Sequence, residues 1–328
     1  MKKSISSLVL MLLVPIMLIT SACSGRKQPQ EITLAMGYIP NVQFAPFYVA
    51  TEKGYYEKAG LKVNFKYGTE SDLVKLVGTN RIPFMVGSGE EVILGRSQGL
   101  PVTYVMQWYR KFPVVVFSLK ERGIEKPKDL EGKKVGIPGL YGASYIGWKA
   151  LVYAAGIDES KVRLESIGYT QATAVSTGKV DAALDYSVSG PLQLRLSGRE
   201  VNVIPISDYI DLPSNGIITN DAMIRDHPDV VKALVHATLL GLKDTLSDPD
   251  EAFRISLKYA PEAGKDEEQK KTNRAVFEEA LKLWQAGGEK LGLSSPSSWE
   301  ESAKFMFEAG LIDKQVDPKS CYTNEFVK

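Results

Sequence analysis

Short apolar runs alternate with amphipathic stretches from residue 31 onward, and the alternation predicts strands and helices in turn. The apolar runs predict strands at 32–36, 61–66, 83–87, 102–108, 114–119, 134–137, 163–167, 182–184 and 201–205. Helical periodicity predicts helices at 44–53, from 72–77, and at 90–98, 144–155 and 170–177, then a mostly helical C-terminal part at 228–244, 249–259, 266–285 and 298–309. Strands that alternate with helices are typical of layered α/β domains.

Two segments of the chain echo each other. Residues 76–86 (LVGTNRIPFMV) and 175–184 (VSTGKVDAAL) each contain the end of a helix, a glycine turn, a β-branched residue and a short buried strand. They lie about 100 residues apart, which is longer than the period of a solenoid. Two related α/β halves explain the echo, although a helix followed by glycine and a strand is also common by chance.

The first 23 residues have the layout of a secretory signal. Lys2 and Lys3 precede an apolar run over 8–20, and small residues then lead to Cys23. The run is shorter than the about 20 apolar residues of a membrane span. The segment resembles the lipobox of bacterial lipoproteins, with Thr20 where leucine is usual, and this resemblance implies that Cys23 is lipidated. The other interpretation is an ordinary signal with an incidental cysteine.

The lipobox interpretation divides the N-terminal region and sets the location of the rest. Residues 1–22 are the expected signal peptide and 23–30 a polar tether. The remaining chain is then expected outside the cytoplasm, anchored to the cell membrane through Cys23.

Composition narrows the function classes. The 328 residues suit two domains, and 40 Lys and Arg against 39 Asp and Glu leave no basic stripe, so no nucleic-acid partner is expected. Cys23 and Cys321 are the two cysteines, which excludes a disulfide framework if Cys23 is lipidated. Cysteine, histidine and acidic residues show no metal-ligand spacing, so neither a metal nor a cofactor is predicted.

One segment carries a family resemblance. Residues 38–50 (YIPNVQFAPFYVA) and 52–63 (EKGYYEKAGLKV) resemble the opening signature of a superfamily of periplasmic binding proteins for taurine, aliphatic sulfonates, nitrate and thiamin-pyrimidine precursors. The Pro40–Asn41 pair resembles the narrower pyrimidine branch. That branch includes the formylaminopyrimidine-binding lipoproteins of the ThiY group, to which the likeness is greatest, and the yeast-type hydroxymethylpyrimidine phosphate synthases.

The resemblance implies a type II periplasmic-binding-protein-like α/β fold, in which two lobes joined by two crossing strands close on a ligand. The crossings are expected near 116–120 and 213–218. Lobe 1 would then comprise 31–117 and 218–328, and lobe 2 would comprise 118–217. The implied function is that of a monomeric lipoprotein that delivers N-formyl-4-amino-5-aminomethyl-2-methylpyrimidine to the permease and ATPase of an ABC importer for thiamin salvage.

An aminopyrimidine needs aromatic plates and a few fixed polar groups, which we expect at the carboxyl ends of strands. The candidate plates are Tyr38, Trp108, Tyr109 and Tyr186. The candidate polar or close-approach residues are Asn41, Ser88, Gly89, Glu90, Gly142, Ser144, Asp185 and Asn215.

Several candidates also have a purely structural interpretation. Asn41 has the position of a helix N-cap, and Glu90 that of a first-turn acid favoured by the helix dipole. Ser88 and Glu91 have the spacing of a capping box. Trp108 and Tyr109 fit core packing as well as a cleft wall. The loop containing Gly142 and Ser144 either binds a ligand oxygen or merely connects two elements.

Two other functions compete with this hypothesis. In the synthases a histidine of the first motif is consumed as substrate, and here Phe44 stands at the corresponding position; the cysteine-rich iron-binding segment of the synthases is also absent from the sequence. An enzyme is therefore disfavoured. A sulfonate or nitrate ligand would be repelled if Glu90 and Asp185 both faced the cleft.

Overall fold

The computed structural model describes residues 28–285 and 290–328, so the predicted signal peptide and Cys23 lie outside the described residues. The strands are β1 (Gln30–Met36), β2 (Leu61–Tyr67), β3 (Phe84–Ser88), β4 (Val102–Gln107), β5 (Val114–Leu119), β6 (Lys134–Ile137), β7 (Arg163–Ser166), β8 (Ala182–Tyr186), β9 (Val201–Pro205) and β10 (Asn215–Asn220). All nine strands predicted from the apolar runs are present.

The helices follow the predicted alternation. They are α1 (Ala45–Glu52), α2 (Tyr55–Lys58), α3 (Glu70–Gly78), α4 (Gly89–Ser97), α5 (Gly142–Ala155), α6 (Gln171–Ser176), α7 (Gly190–Leu196), α8 (Asp221–Asp226), α9 (Pro228–Ser247), α10 (Pro249–Tyr259), α11 (Glu267–Gln285), α12 (Pro296–Glu308) and α13 (Pro318–Cys321). Over the described ranges, none of them has the length and apolar character that crossing a membrane requires.

The strands form two five-stranded mixed sheets of the same design. The first has the order β2-β1-β3-β10-β4 and the second the order β7-β6-β8-β5-β9. In each sheet three parallel strands are followed by one antiparallel strand, β10 or β5, whose hydrogen bonds on both sides place it inside the sheet. The two echoing segments occupy equivalent places, since α3 leads into β3 and α6 leads into β8. This equivalence supports the interpretation as two related halves.

The chain changes sheets between β4 and β5, and again between β9 and β10. The first crossing therefore lies at 108–113, and the predicted position at 116–120 is wrong. Residues of β5 pair with β8 on one side and β9 on the other, and all six are buried, so this strand belongs wholly to the second sheet. The second crossing lies at 206–214, which overlaps the start of the predicted 213–218. The predicted lobe limits as a division into domains stay a prediction.

C-terminal segments pack against the first sheet and against the helices that follow β1. The hydroxyls of Tyr56 and Thr238 are 2.8 Å apart, and the backbone N–H of Thr323 donates to the Tyr104 carbonyl at 2.9 Å. Gly241 of α9 lets α1 approach closely, because a Cβ there would lie 2.2 Å from the Pro46 carbonyl oxygen. The first sheet is thus covered by segments from both ends of the described chain.

Candidate functional site

A cleft of about 1320 Å³ opens between the two sheets. Segments that follow β1, β2, β6, β7 and β8 line it, together with part of α11. The carboxyl ends of parallel strands meet at one edge of an open sheet, which is the usual place for a ligand in such folds. The cleft is therefore the candidate binding site.

The inner wall of the first sheet is aromatic. Trp108 lines the cleft while only 1% exposed, and its ring stacks on Phe44 with centroids 5.4 Å apart and on Tyr109 at 4.1 Å. Its indole Nε1 has no hydrogen-bond partner among the described residues. Trp108 therefore packs in the core and also forms part of the cleft wall, as both interpretations of its sequence position allow.

Tyr109 lies behind this wall and does not line the cleft. Its ring is buried, and its hydroxyl donates to Gln43 Oε1 at 2.8 Å. The structure thus places Tyr109 as a core residue that supports Trp108, and Gln43 is the residue that reaches the cleft surface.

Tyrosines from both sheets form the rim. Tyr38 is 42% exposed, Tyr141 51% and Tyr169 72%, and all three line the cleft. Burial and the charge of Asp185 raise the pKa of Tyr38, which places groups from opposite sheets near each other across the opening. Exposed rings of this kind offer flat faces to a planar ligand.

A polar network lies on the floor and links the sheets. Glu70, the first residue of α3, accepts at Oε2 from the Ser88 N–H and at Oε1 from Asn215 Nδ2, each at 3.0 Å. The Tyr186 hydroxyl donates to Asn215 Oδ1 at 3.4 Å. Gly37 leaves room for Glu70, because a Cβ there would lie 2.5 Å from Glu70 Cγ. Glu70, Asn215 and Tyr186 all line the cleft.

Burial and the nearby Glu91 carboxyl raise the pKa of Glu70 to about 7. Two hydrogen bonds offset this only in part, so the carboxyl sits near its midpoint at neutral pH. Sequence reasoning missed Glu70, although it follows the end of a strand as the other candidates do. Strand β2 ends at Tyr67, and Gly68 lies between it and Glu70.

Asp185 lines the cleft from the second sheet, as expected of a residue at the end of β8. Its carboxyl accepts from the backbone N–H groups of Tyr186 at 2.8 Å and Gly190 at 3.0 Å. Burial nevertheless raises its pKa to about 6. These two N–H groups use part of the hydrogen-bonding capacity of the Asp185 carboxyl. A contact between Asp185 and a ligand stays a prediction.

Asn41, Gly142 and Ser144 also line the cleft. The side chain of Asn41 accepts from the Gln43 N–H at 3.0 Å, so it caps the short 3₁₀ helix at 42–44 while bordering the cleft. Gly142 has a φ of +68°, a conformation that favours glycine, where α5 begins. The ligand contacts of these three residues stay predictions.

Ser88, Gly89 and Glu90 are not among the residues that line the cleft. All three are buried, and neither carboxyl oxygen of Glu90 has a hydrogen-bond partner among the described residues. Burial raises the pKa of Glu90 well above its ordinary value of 4.5, because a charged carboxylate is costly at a site removed from solvent. The predicted placement of these residues at the cleft surface is therefore corrected.

The second crossing explains the burial of the β3 end. The Gly89 N–H donates to the Ser214 carbonyl at 3.2 Å, and a Cβ at Gly89 would lie 2.5 Å from Pro213. The predicted capping box is not formed, because the Ser88 side chain makes no cap hydrogen bond at the start of α4. The acid that borders the cleft from this helix is Glu91.

The charged lining of the cleft is mostly acidic. Glu70, Glu91, Asp185 and Glu268 line it, and Lys271 is the basic side chain among the described lining residues. An anionic ligand would meet like charge here. Of the two carboxyls expected to decide this question, Asp185 faces the cleft and Glu90 does not.

No histidine is among the described residues that line the cleft. Within residues 28–285 and 290–328, no three His, Cys, Asp or Glu side chains are placed to hold a metal ion. Phe44, at the position that the resemblance assigns to the synthase histidine, is buried and borders the cleft beside Trp108.

Comparison with known proteins gives a family match and full-length relatives. The model of the family described as NMT1/THI5 like matches residues 41–252. The riboflavin-binding protein RibY of Chloroflexus aurantiacus is 41% identical, over 94% of this chain and 90% of its own length. A formylaminopyrimidine-binding protein of Halalkalibacterium halodurans is 27% identical over 93% of each chain. A 4-amino-5-hydroxymethyl-2-methylpyrimidine phosphate synthase of Legionella pneumophila is 23% identical, over 90% of this chain and 92% of its own length.

Solved structures have the same fold. The periplasmic aliphatic sulphonate binding protein SsuA of Escherichia coli superposes with a TM-score of 0.72 at 13% identity, covering 92% of this chain and 100% of SsuA. This similarity confirms the predicted periplasmic-binding-protein-like α/β fold.

Proposed function

Because the chain belongs to the NMT1/THI5-like family and has the fold of a periplasmic-type solute-binding protein, we propose that it binds riboflavin as the solute-binding component of an importer. The observation that carries this proposal is the 41% identity to a riboflavin-binding protein along nearly the whole chain. The proposal replaces the thiamin-related aminopyrimidine as first candidate.

The cleft suits the chemistry of riboflavin. The flavin ring is a flat three-ring system, and Trp108, Tyr38 and Tyr186 offer aromatic side chains along the lining. The volume of about 1320 Å³ exceeds the about 300–1000 Å³ of common small-molecule pockets, which leaves room for the ring and its polyhydroxyl chain. Riboflavin is uncharged at neutral pH, which agrees with an acidic lining.

An aminopyrimidine remains the second candidate. A formylaminopyrimidine-binding protein is 27% identical, and the carboxyls of Glu70 and Asp185 suit a ring with amino substituents. A single ring would fill much less of the cleft than a flavin does. The two candidates therefore differ in how many of the rim tyrosines the ligand contacts.

Sulfonate, nitrate and catalysis are less well supported. The sulphonate-binding SsuA shares the fold at 13% identity, and the acidic lining opposes an anion. The synthase relatives are 22–24% identical, and Phe44 supplies no imidazole at the cleft. We infer that the protein binds its ligand without transforming it.

The cellular setting belongs to the same proposal. The pattern at 1–23 supports a lipid anchor on Cys23, and similar solved structures are described as periplasmic binding proteins or as the ligand-binding component of an ABC-type import system. We infer a monomer that passes its ligand to a permease driven by an ATPase. Cys23→Ala should release the protein into the medium with ligand binding intact; retention at the membrane would count against the anchor.

The test of the ligand is a titration of the purified protein. Riboflavin fluorescence should be quenched on binding because the flavin stacks on aromatic side chains, and calorimetry should give one site per chain. Riboflavin 5′-phosphate should bind more weakly, since acidic side chains outnumber basic ones along the cleft and Glu268 lies on the same helix as Lys271. Binding of formylaminopyrimidine with no binding of riboflavin would reverse the order of the two candidates.

A further inference from the structure

We propose that Glu70 is a specificity-determining residue that recognises a ring N–H of the ligand, which in riboflavin is the N3–H of the flavin. This inference rests on the proposed function, because it names the part of riboflavin to which the cleft floor would hydrogen-bond. It starts from a side chain that reaches the cleft and is held in one orientation by two neighbours.

Both carboxyl oxygens of Glu70 are fixed by donors from different elements. The Ser88 N–H comes from the end of β3, and Asn215 Nδ2 comes from the start of β10. Each carboxylate oxygen can accept two hydrogen bonds, and each receives one from the protein. Each oxygen therefore has capacity for one further donor. Because the carboxyl borders the cleft, that donor can come from a ligand.

The orientation of Asn215 reinforces this polarity. Its Oδ1 accepts from the Tyr186 hydroxyl, which leaves its Nδ2 to donate to Glu70. Glu70 is thus surrounded by donors and acts as an acceptor toward its protein neighbours. A ligand N–H would add a third donor and so favour the ionised form of a carboxyl whose pKa is about 7, whereas a ligand carbonyl at the same place would disfavour that form.

The position of Glu70 indicates that it contacts the ring of the ligand and not its polyhydroxyl chain. Glu70 belongs to the network on the cleft floor, where it lies against Gly37 and Gly87, and Asn215 links it to the aromatic side chain of Tyr186. Polar side chains of the helices at the opening, Gln193 of α7 and Lys271 of α11, suit hydroxyl groups instead. A flavin inserted with its polar ring edge first would place N3–H at Glu70 and its polyhydroxyl chain at the opening.

Glu91 provides a matched control. It is a second carboxyl that borders the same cleft, one helix further along the chain. Glu91 is 2% exposed whereas Glu70 is partly exposed, and burial raises the pKa of Glu91. Among the described residues no hydrogen-bond donor holds its carboxyl in place, unlike that of Glu70. The substitutions Glu70→Gln and Glu91→Gln remove the same charge from the same lining, but only the first disturbs a carboxyl held by two donors.

The experiment compares riboflavin with 3-methylriboflavin, in which a methyl group replaces the N3 hydrogen, on the full-length protein and both variants. For the unchanged protein, we expect methylation to weaken binding by about tenfold or more, because the carboxylate loses a donor and gains a methyl contact. In Glu70→Gln this methylation penalty should shrink to about twofold or less, because one uncharged amide oxygen replaces the two carboxylate oxygens that accept from Ser88 and Asn215. In Glu91→Gln the penalty should stay at its full size or grow, because loss of the Glu91 carboxyl lowers the pKa of Glu70. A merely structural role of Glu70 would weaken both ligands equally and leave the penalty unchanged.

The outcomes separate the inference from the function on which it rests. Riboflavin binding with an equal methylation penalty in the unchanged protein and Glu70→Gln overturns the inference alone, as does the absence of any penalty in the unchanged protein. Failure of the unchanged protein to bind riboflavin overturns both. If Glu70→Gln does not fold by circular dichroism, Asn215→Ala removes one of the two donors to Glu70 and should reduce the penalty; a full penalty there also overturns the inference.

Discussion

The two sheets have the same strand order, yet the equivalent ends of β3 and β8 differ in exposure. At the end of β8, Asp185 and Tyr186 border the cleft. At the end of β3, Ser88 and Glu90 are completely buried. The same topological position thus yields a binding surface in one sheet and a core in the other.

The segments packed over the first sheet explain the difference. The second crossing runs over the β3 end, where the Ser214 carbonyl accepts from the Gly89 N–H. Trp299 of α12 closes the other side, since a Cβ at Gly89 would lie 3.1 Å from its ring. A strand end is therefore a candidate site only if no distant segment covers it. In the first sheet, the acidic residue that borders the cleft in place of Glu90 is Glu70, which follows β2.

Substitution in the inner wall of the first sheet should cost more stability than substitution at the rim, and Trp108 should show the greatest loss. Trp108→Ala should lower the free energy of unfolding by about 3–5 kcal/mol, because the ring is buried between Phe44 and Tyr109, and should abolish ligand binding as well. Denaturant unfolding and a riboflavin titration measure the two effects. A stable variant would mean that Trp108 serves only the cleft.

The second prediction concerns the buried end of β3. The pKa of Glu90 is raised in the folded protein, so between its ordinary value of 4.5 and its folded value the folded state holds a proton that the unfolded state has released. The free energy of unfolding should therefore fall as pH rises above 4.5 toward the raised pKa of Glu90 in the folded protein. The size is of the order of 1.4 kcal/mol for each unit by which the pKa is raised.

Glu90→Gln removes this titration, so its free energy of unfolding should fall less over the same pH range than that of the unchanged protein. Glu70 and Asp185 also have raised pKa values and contribute the same sign in both proteins, so the comparison isolates Glu90. Parallel pH profiles would show that Glu90 is not a buried neutral acid.

The third prediction tests the exposed end of β8. Tyr186→Ala should weaken riboflavin binding by about 1 kcal/mol or more through lost aromatic contact. Tyr186→Phe keeps the ring and removes a 3.4 Å hydrogen bond to Asn215, so its loss should be smaller. Calorimetry on both variants gives the difference. Equal losses would assign the effect to the hydroxyl and not to the ring.

The smallest effect is expected at the rim. Tyr169 is 72% exposed, so Tyr169→Ala should change the free energy of unfolding by no more than about 0.5 kcal/mol. Riboflavin affinity should fall a few-fold if the ligand reaches the opening, whereas an aminopyrimidine ligand would leave it unchanged. A large loss of stability would show that the rim of the second sheet is as much a part of the core as Trp108.

Much of this architecture follows from the local pattern. The predicted strands are all present, and the rule of strand ends finds Tyr38, Asp185 and Tyr186 at the cleft surface. The same rule fails for Glu90 and misses Glu70. Both acids open a helix soon after a strand, so nothing in their immediate sequence distinguishes them.

The position of the first crossing does not follow from the local pattern, for a related reason. Residues 114–119 form an apolar run that predicts a strand correctly, but the run does not say in which sheet the strand pairs. Its position between β8 and β9 depends on hydrogen bonds to residues far along the chain.

The sequence by itself determined the alternation of strands and helices, the family signature at 38–63 and the balance of charge. These properties are local or additive, because side-chain periodicity and composition do not depend on distant neighbours. The tertiary structure alone decided which carboxyl reaches the cleft, since that depends on whether a remote segment covers the strand end. Ser214 and Pro213 pack on Gly89, the residue before the buried Glu90, and the Asn215 side chain next to them donates to Glu70 at the cleft.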